Sequence, residues 1–183
     1  MDLRETKISS EDIYTGPVFH ITRDVIRLPD GSRGRRDLVH SGGGVVIFPV
    51  DEQGNVTLVR QFRYAQDCVL LEAVAGKLEK DEEPLPAAKR ELREETGFTA
   101  DRWTDLGFIC TSPGFLTERL YFFLAEGLHP GEQHLDVGEF LQCETLSLEE
   151  LEARIASGLV VDGKTLAIYL KTKLYRQEGG RNG

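Results

Sequence analysis

Cysteine is scarce in this sequence. Cys68, Cys110 and Cys143 are odd in number, widely spaced and without a Cys-x-x-Cys pair. That excludes a disulfide framework or a thiolate zinc site and leaves three small hydrophobes expected in the core. No apolar run is long enough to span a bilayer. The start, MDLRETKISSEDIYTG, lacks the apolar stretch of a secretory signal, so no membrane partner is expected and the cytoplasm is the default compartment. Positive charge is short as well: 22 Lys and Arg against 31 Asp and Glu leave a net charge of −9. Such a balance argues against a nucleic-acid partner or an anionic surface, although local arginines or bound metal could still attract an anionic substrate. The glycine triplet at 42–44 has neither the lysine nor the helix of a phosphate loop, and reads as close backbone packing.

What is present is one stretch with a clear pattern, GKLEKDEEPLPAAKRELREETGF at 76–98. Pro84 and Pro86 fit only a first helical turn, and Gly97 suits the left-handed residue that ends a helix. Leu85, Ala88, Leu92 and Thr96 share one face and are expected to be buried. Glu91, Glu94 and Glu95, three and four residues apart, share another flank. Two carboxylates about 5 Å apart repel by roughly 3 kcal/mol at an effective dielectric near 20. Arg90 and Arg93 can relieve part of that, and a divalent cation more; oxygen-rich clusters suit Mg2+, with Mn2+ also possible.

The spacing Gly76, five residues, Glu82, seven residues, Arg90-Glu91-Leu92, one residue, Glu94-Glu95, one residue, Gly97, then Phe98 matches the Nudix box. Seven fixed positions coincide by chance on the order of 10⁻⁹ per start site. The chain therefore resembles the Nudix hydrolases, which cleave nucleoside diphosphates linked to another group. The resemblance implies an α/β fold, an α/β/α sandwich with a mixed sheet. It also implies that the Ala75 carbonyl, Glu91 and Glu95 hold the metal, with Glu94 as a further ligand or a carboxylate just behind them. Arg90 would orient the glutamates, and Glu82 would brace the loop or bind water.

The flanks narrow the substrate. EAVAGKLE before the box and the Ser-Pro-Gly-Phe around Pro113 after it resemble the ADP-ribose pyrophosphatase branch, in which an arginine stands where Arg63 does. Asp162-Gly163-Lys164, at the start of the last helix, resembles nucleoside diphosphate sugar hydrolases; a lysine there could add its charge to the helix N-terminus. Related enzymes carry Glu-x-Glu in the loop before the penultimate strand. Here the run is Val137-Gly138-Glu139. Glu139 is the expected base and a metal ligand, with Asp136, Glu132 and His134 as weaker candidates. Phe19 could stack on a base and Arg36 could clamp a phosphate. The resemblance further implies a homodimer. The competing activities are cleanup of modified nucleoside triphosphates and, in a different class, a sensor that binds a nucleotide without hydrolysing it.

Along the chain, residues 1–41 read as a polar lead-in followed by two strands, an N-terminal β-extension of the main domain. Residues 42–176 read as the catalytic domain, with a single strand at 70–76 and helices capped by Ser147 and Asp162. Leu166, Leu170 and Leu174 are expected as the buried stripe of the last helix, and 177–183 as a flexible tail.

Overall fold

The computed structural model describes residues 2–179. They divide into two units: one runs to Gly43 and also takes in Cys110–Arg119, and the other comprises Gly44–Ile109 and the chain from Leu120 onward.

The first unit is an antiparallel sheet in the order β1 (Thr6–Thr15), β2 (His20–Arg27), β3 (Arg33–His40). The extension thus has three strands, and the expected lead-in is itself a strand. Its side chains are exposed throughout, so it carries no burial alternation to read. The β1–β2 ladder and a hydrogen bond from Ser10 to the buried Asp24 hold it instead. The segment at 110–119 joins this unit through Val39 N–H to the Phe115 carbonyl (2.7 Å) and Thr117 N–H to the Val39 carbonyl (3.0 Å).

The second unit is a mixed seven-stranded sheet. It comprises β4 (Gly44–Val50), β5 (Asn55–Arg63), β6 (Cys68–Glu72), β7 (Val74–Lys77), β8 (Thr99–Cys110), β9 (Arg119–His129) and β10 (Leu141–Ser147). The main order is β10-β5-β4-β9-β8, with β6 on β5 and β7 on β4; β4 and β9 run parallel. The expected single strand at 70–76 is two. At Ala73 the chain changes partner from β5 to β4, and the Ala73 N–H leaves the ladder for the Thr165 hydroxyl at 2.7 Å.

Every residue of β4 is buried, and its alternation divides the core. Val45 and Ile47 pack with Ala87, Ala88 and Leu92 of α1 (Pro84–Thr96). Val46, Phe48 and Val50 pack with Leu151 of α2 (Leu148–Ala156) and Ile168 of α3 (Gly163–Gln177). Helices therefore cover both faces of one sheet, which is the expected sandwich. Truncating Leu92, fully buried, to Ala would cost about 2–5 kcal/mol.

Two expectations about burial fail here. Leu170 and Leu174 are exposed; α3 buries Thr165, Ile168 and Thr172, a face centred about 165° from that of the leucines. Thr165 is drawn inward by its bonds to Ala73 and Asp162. The three cysteines are also exposed, on β6, β8 and β10 at the sheet margins. The expected tail falls largely on 180–183, outside the described residues. Among the described residues no helix is long and apolar enough to cross a membrane.

Candidate active site

The site is built on α1. Glu83 enters it in extended conformation, Pro84 and Pro86 occupy its first turn, and Gly97, at φ 76°, closes it with an N–H bond to the Arg93 carbonyl (2.9 Å). The buried face is Ala87, Ala88, Leu92 and Glu95. Leu85 is exposed, and Thr96 is half-buried with its hydroxyl on the Leu92 carbonyl. Glu95 therefore sits in the core, 3 % exposed, and not on a solvated flank.

Arg90 organises the acidic residues around it. Its Nε and Nη2 clasp both oxygens of Glu82 (3.0 and 2.9 Å), and Nη2 also reaches the Lys77 carbonyl (3.1 Å). Its Nη1 donates to Glu91 (2.8 Å) and Glu94 (2.9 Å) together. Glu82 first, then Glu91 and Glu94, drives the guanidinium further up, so it stays charged at any working pH. Glu82 also accepts the Glu79 N–H (3.0 Å), tying the loop before α1 to the same arginine. A Cβ at Gly76 would stand 1.8 Å from the Glu91 carboxyl carbon, so any side chain there would displace that carboxylate.

Glu95 lacks such relief. Among the described residues, the one hydrogen bond to its carboxylate is from the Ala75 N–H, at 3.3 Å. Burial, then the charges of Glu139 and Glu91, raises its carboxyl to about 8. Burial likewise raises Glu91, with Glu94 and Glu139 adding to it against the pull of Arg90. Glu139, half-buried at the end of the 129–140 loop, thus faces the Glu91–Glu95 pair. Among the described residues no three metal-binding side chains form a closed chelate. The donor set nevertheless suits a hard divalent cation: converging carboxylates, one of them buried and short of positive charge.

A second buried carboxylate lies nearby in sequence and is fully paired. Glu72, 1 % exposed, takes Arg63 Nε and Nη2 at 2.6 Å each and the Lys164 ammonium. Lys164 also pairs with Asp162 (3.0 Å), whose other oxygen caps α3 on the Thr165 N–H (2.9 Å) and hydroxyl (2.6 Å). Lys164, 15 % exposed, and Arg63 are thus both paired with Glu72. Sequence reasoning missed Glu72, although a glutamate in an otherwise apolar run was its signal.

It also missed the anchor of the 129–140 loop. Gln133 Nε2 donates to the Glu95 carbonyl, and the His134 N–H donates to the Glu94 carbonyl (3.0 Å). A Cβ on Gly97 would stand 2.5 Å from the Gly131 carbonyl, so the loop lies against the end of α1. These contacts position Glu139. Glu132, His134 and Asp136 have exposed side chains, and the Asp136 carbonyl accepts the Glu139 N–H (3.0 Å). Phe19, Arg36 and Pro113 belong to the first unit. There Phe19 is exposed with its ring 5.8 Å from Tyr14, Arg36 is bound to Glu5 and the Arg35 carbonyl, and Pro113 lies in the Ser112–Phe115 turn.

Comparison with known proteins agrees with this geometry. A NUDIX domain model matches residues 40–164, and a nucleoside diphosphate sugar hydrolase N-terminal domain model matches 5–39. An ADP-ribose pyrophosphatase of Bacillus subtilis (strain 168) is 39% identical, over 89% of each chain. A GDP-mannose pyrophosphatase of Yersinia pestis (strain Pestoides F) is 36% identical, over 73% of this chain and 72% of its own. A crystal structure of an ADP compounds hydrolase superposes with a TM-score of 0.86 over the full length of both chains at 19% identity, a likeness of fold.

Proposed function

Because the chain belongs to the Nudix hydrolase family, we propose that it is a divalent-metal-dependent pyrophosphohydrolase acting on ADP-ribose and other nucleoside diphosphate sugars. The observation that carries this reading is the core-buried Glu95, crowded by Glu91 and Glu139 and given a single backbone donor. Such a group is stable as an anion only beside a cation.

In this proposal Glu91, Glu95 and the Ala75 carbonyl hold the cation, with Glu94 and Glu139 as further oxygen donors; magnesium is the expected ion and manganese an alternative. When bound, the cation supplies Lewis-acid polarisation of the diphosphate and a more acidic water. Arg90 keeps Glu91 and Glu94 in register, and Glu82 keeps Arg90 from collapsing onto them. Glu139 accepts the proton of the attacking water, as a carboxylate held by the loop anchors and open to one side. Water adds its oxygen to one phosphorus, the bridging P–O bond breaks, and nucleoside monophosphate and sugar phosphate leave. Phe19, Arg36 and Pro113 are proposed substrate contacts. Arg63, Lys164 and Asp162 are proposed substrate contacts too, an anionic diphosphate competing with Glu72 for Arg63 and Lys164.

A homodimer and a cytoplasmic setting belong to the same proposal. For the dimer, support comes from β1, an edge strand bearing exposed Ile8, Ile13 and Tyr14. Product analysis with ADP-ribose, ADP-glucose, GDP-mannose and 8-oxo-dGTP under magnesium tests the activity. Monophosphate plus sugar phosphate from the first three is expected. Release of pyrophosphate from 8-oxo-dGTP alone would overturn the substrate assignment, and no turnover of any would favour a sensor.

A further inference from the structure

The helix that carries the crowded carboxylates carries the reverse arrangement on its outer flank. Lys89 and Arg93, four residues apart and both exposed, lie about 200° round α1 from Glu91 and Glu95. Like charges at that spacing disfavour each other. Among the described residues neither side chain has an ion pair or a hydrogen bond to protein. Carboxylates were not in short supply, since they outnumber cations 31 to 22.

Both side chains line an open groove of about 460 Å³, together with Arg90, Glu94, Thr99 and His134. Glu94 is its one carboxylate, and Arg90 already holds it at 2.9 Å. The charges of Lys89 and Arg93 are therefore left uncompensated. Thr99, the first residue of β8, and His134, in the 129–140 loop, are exposed as well. Among the described residues the Thr99 hydroxyl and the His134 ring have no hydrogen-bond partner. The next groove along, beyond Arg93, includes Glu132 and a His129 paired with Asp101 at 2.9 Å, so the uncompensated positive charge ends there.

We propose that this groove binds a phosphate dianion, free or as a monoester, between the Lys89 ammonium, the Arg93 guanidinium, the Thr99 hydroxyl and the His134 ring. A point charge, a planar fork and a hydroxyl around one space suit a compact anion with several acceptor oxygens. The acidic balance of the whole chain disfavours an extended polyanion such as a nucleic acid. Bound there, the anion ties the loop to α1 next to the existing bond from the His134 N–H to the Glu94 carbonyl (3.0 Å). The same loop ends at Glu139, so the tether steadies the proposed base; that consequence rests on the hydrolase reading, whereas the binding does not.

The test is an amide NMR titration of the full-length protein with inorganic phosphate, ribose 5-phosphate and AMP. It is run in EDTA, which keeps the carboxylate cluster free of a cation that would draw phosphates to it. Ionic strength is held constant with chloride, at a pH of about 7.5 where phosphomonoesters are mainly dianions. Saturable shifts at Arg93, Thr99 and His134 are expected, with slower hydrogen exchange at the His134 N–H. Lys89→Gln and Arg93→Gln should each weaken binding about fivefold. Tighter binding of AMP or ribose 5-phosphate than of inorganic phosphate would name a reaction product as the occupant, and the opposite order would name free phosphate; either order upholds the site. Shifts that do not saturate, shifts reproduced by chloride alone, unaltered exchange at His134, or full affinity in both variants would each overturn the proposal. The wild-type titration decides even if a variant does not fold. No readout involves turnover, so failure here and failure of the hydrolase reading are distinguishable.

Discussion

Glu72 and Glu95 are both buried glutamates, and the protein treats them in opposite ways. Glu72 has a bidentate arginine and a lysine. Burial works to raise its carboxyl, but the Arg63 and Lys164 bonds and charges outweigh that and hold it below the ordinary value of 4.5. Glu95 has one backbone N–H and two carboxylate neighbours, and its carboxyl is pushed up to about 8. One site is completed by the chain itself. In the proposed reading the other is left needing a cation, and the difference then separates a structural anchor from a reactive centre.

The comparison can be broken most severely at Glu139, which adds to the crowding around Glu95 and, in the proposed chemistry, takes a proton. Glu139→Gln should lower turnover by about 10²–10⁴-fold with little change in melting temperature. Near-normal turnover would remove Glu139 as the base and leave Glu95 crowded for a reason other than catalysis.

The next effect is on the paired side. Glu72→Gln leaves Arg63 and Lys164 facing a neutral group, which should cost about 3 kcal/mol. For a chain of this size that is roughly 6–12 °C in Tm. The pH dependence follows from the direction of the shift. A depressed folded pKa contributes stability in full above the unfolded value near 4.5 and loses it as pH falls through the folded value. The gap between wild type and Glu72→Gln should therefore be widest above pH 4.5 and close in acid. A gap that is constant across pH would mean that the pairing contributes nothing.

A smaller effect is expected at the loop anchor. Gln133→Ala removes the side-chain bond to the Glu95 carbonyl but not the His134 backbone bond, so Glu139 loses only part of its support. Turnover should fall about tenfold while the magnesium dependence is kept. An unchanged rate would show that the backbone contacts suffice.

How much of this could be read from the sequence depends on whether a residue's role is local. The helix ends at Pro84 and Gly97 and the cap at Asp162 are local chemistry, and they stand where expected. The sandwich follows from the continuous burial of β4. What failed depends on distant partners. Glu95 was expected on an acidic flank, but which glutamate turns inward is decided by the position of β7, whose Ala75 N–H meets it. The leucines of α3 form a clear stripe, yet the helix turns a nearly opposite face inward, because Thr165 has bonds to Ala73 and Asp162 that no periodicity reveals. β1 went unseen because an exposed strand has no burial pattern. Lys164 and Glu72, 92 residues apart, were recognisable as a pair only once folded.

The central claim is that Glu95 is an anion completed by a cation. The most direct test is a melting comparison of wild type and Glu95→Gln, each in EDTA and in saturating magnesium. Because the folded carboxyl is raised, its contribution is present below pH 4.5 and lost as pH rises towards 8. In EDTA at pH 8, Glu95→Gln should therefore melt above wild type. Magnesium at about a hundred times its Kd should stabilise wild type by about 2.7 kcal/mol and leave the variant nearly unmoved. Equal magnesium shifts in both proteins, or a variant that melts below wild type in EDTA, would contradict it.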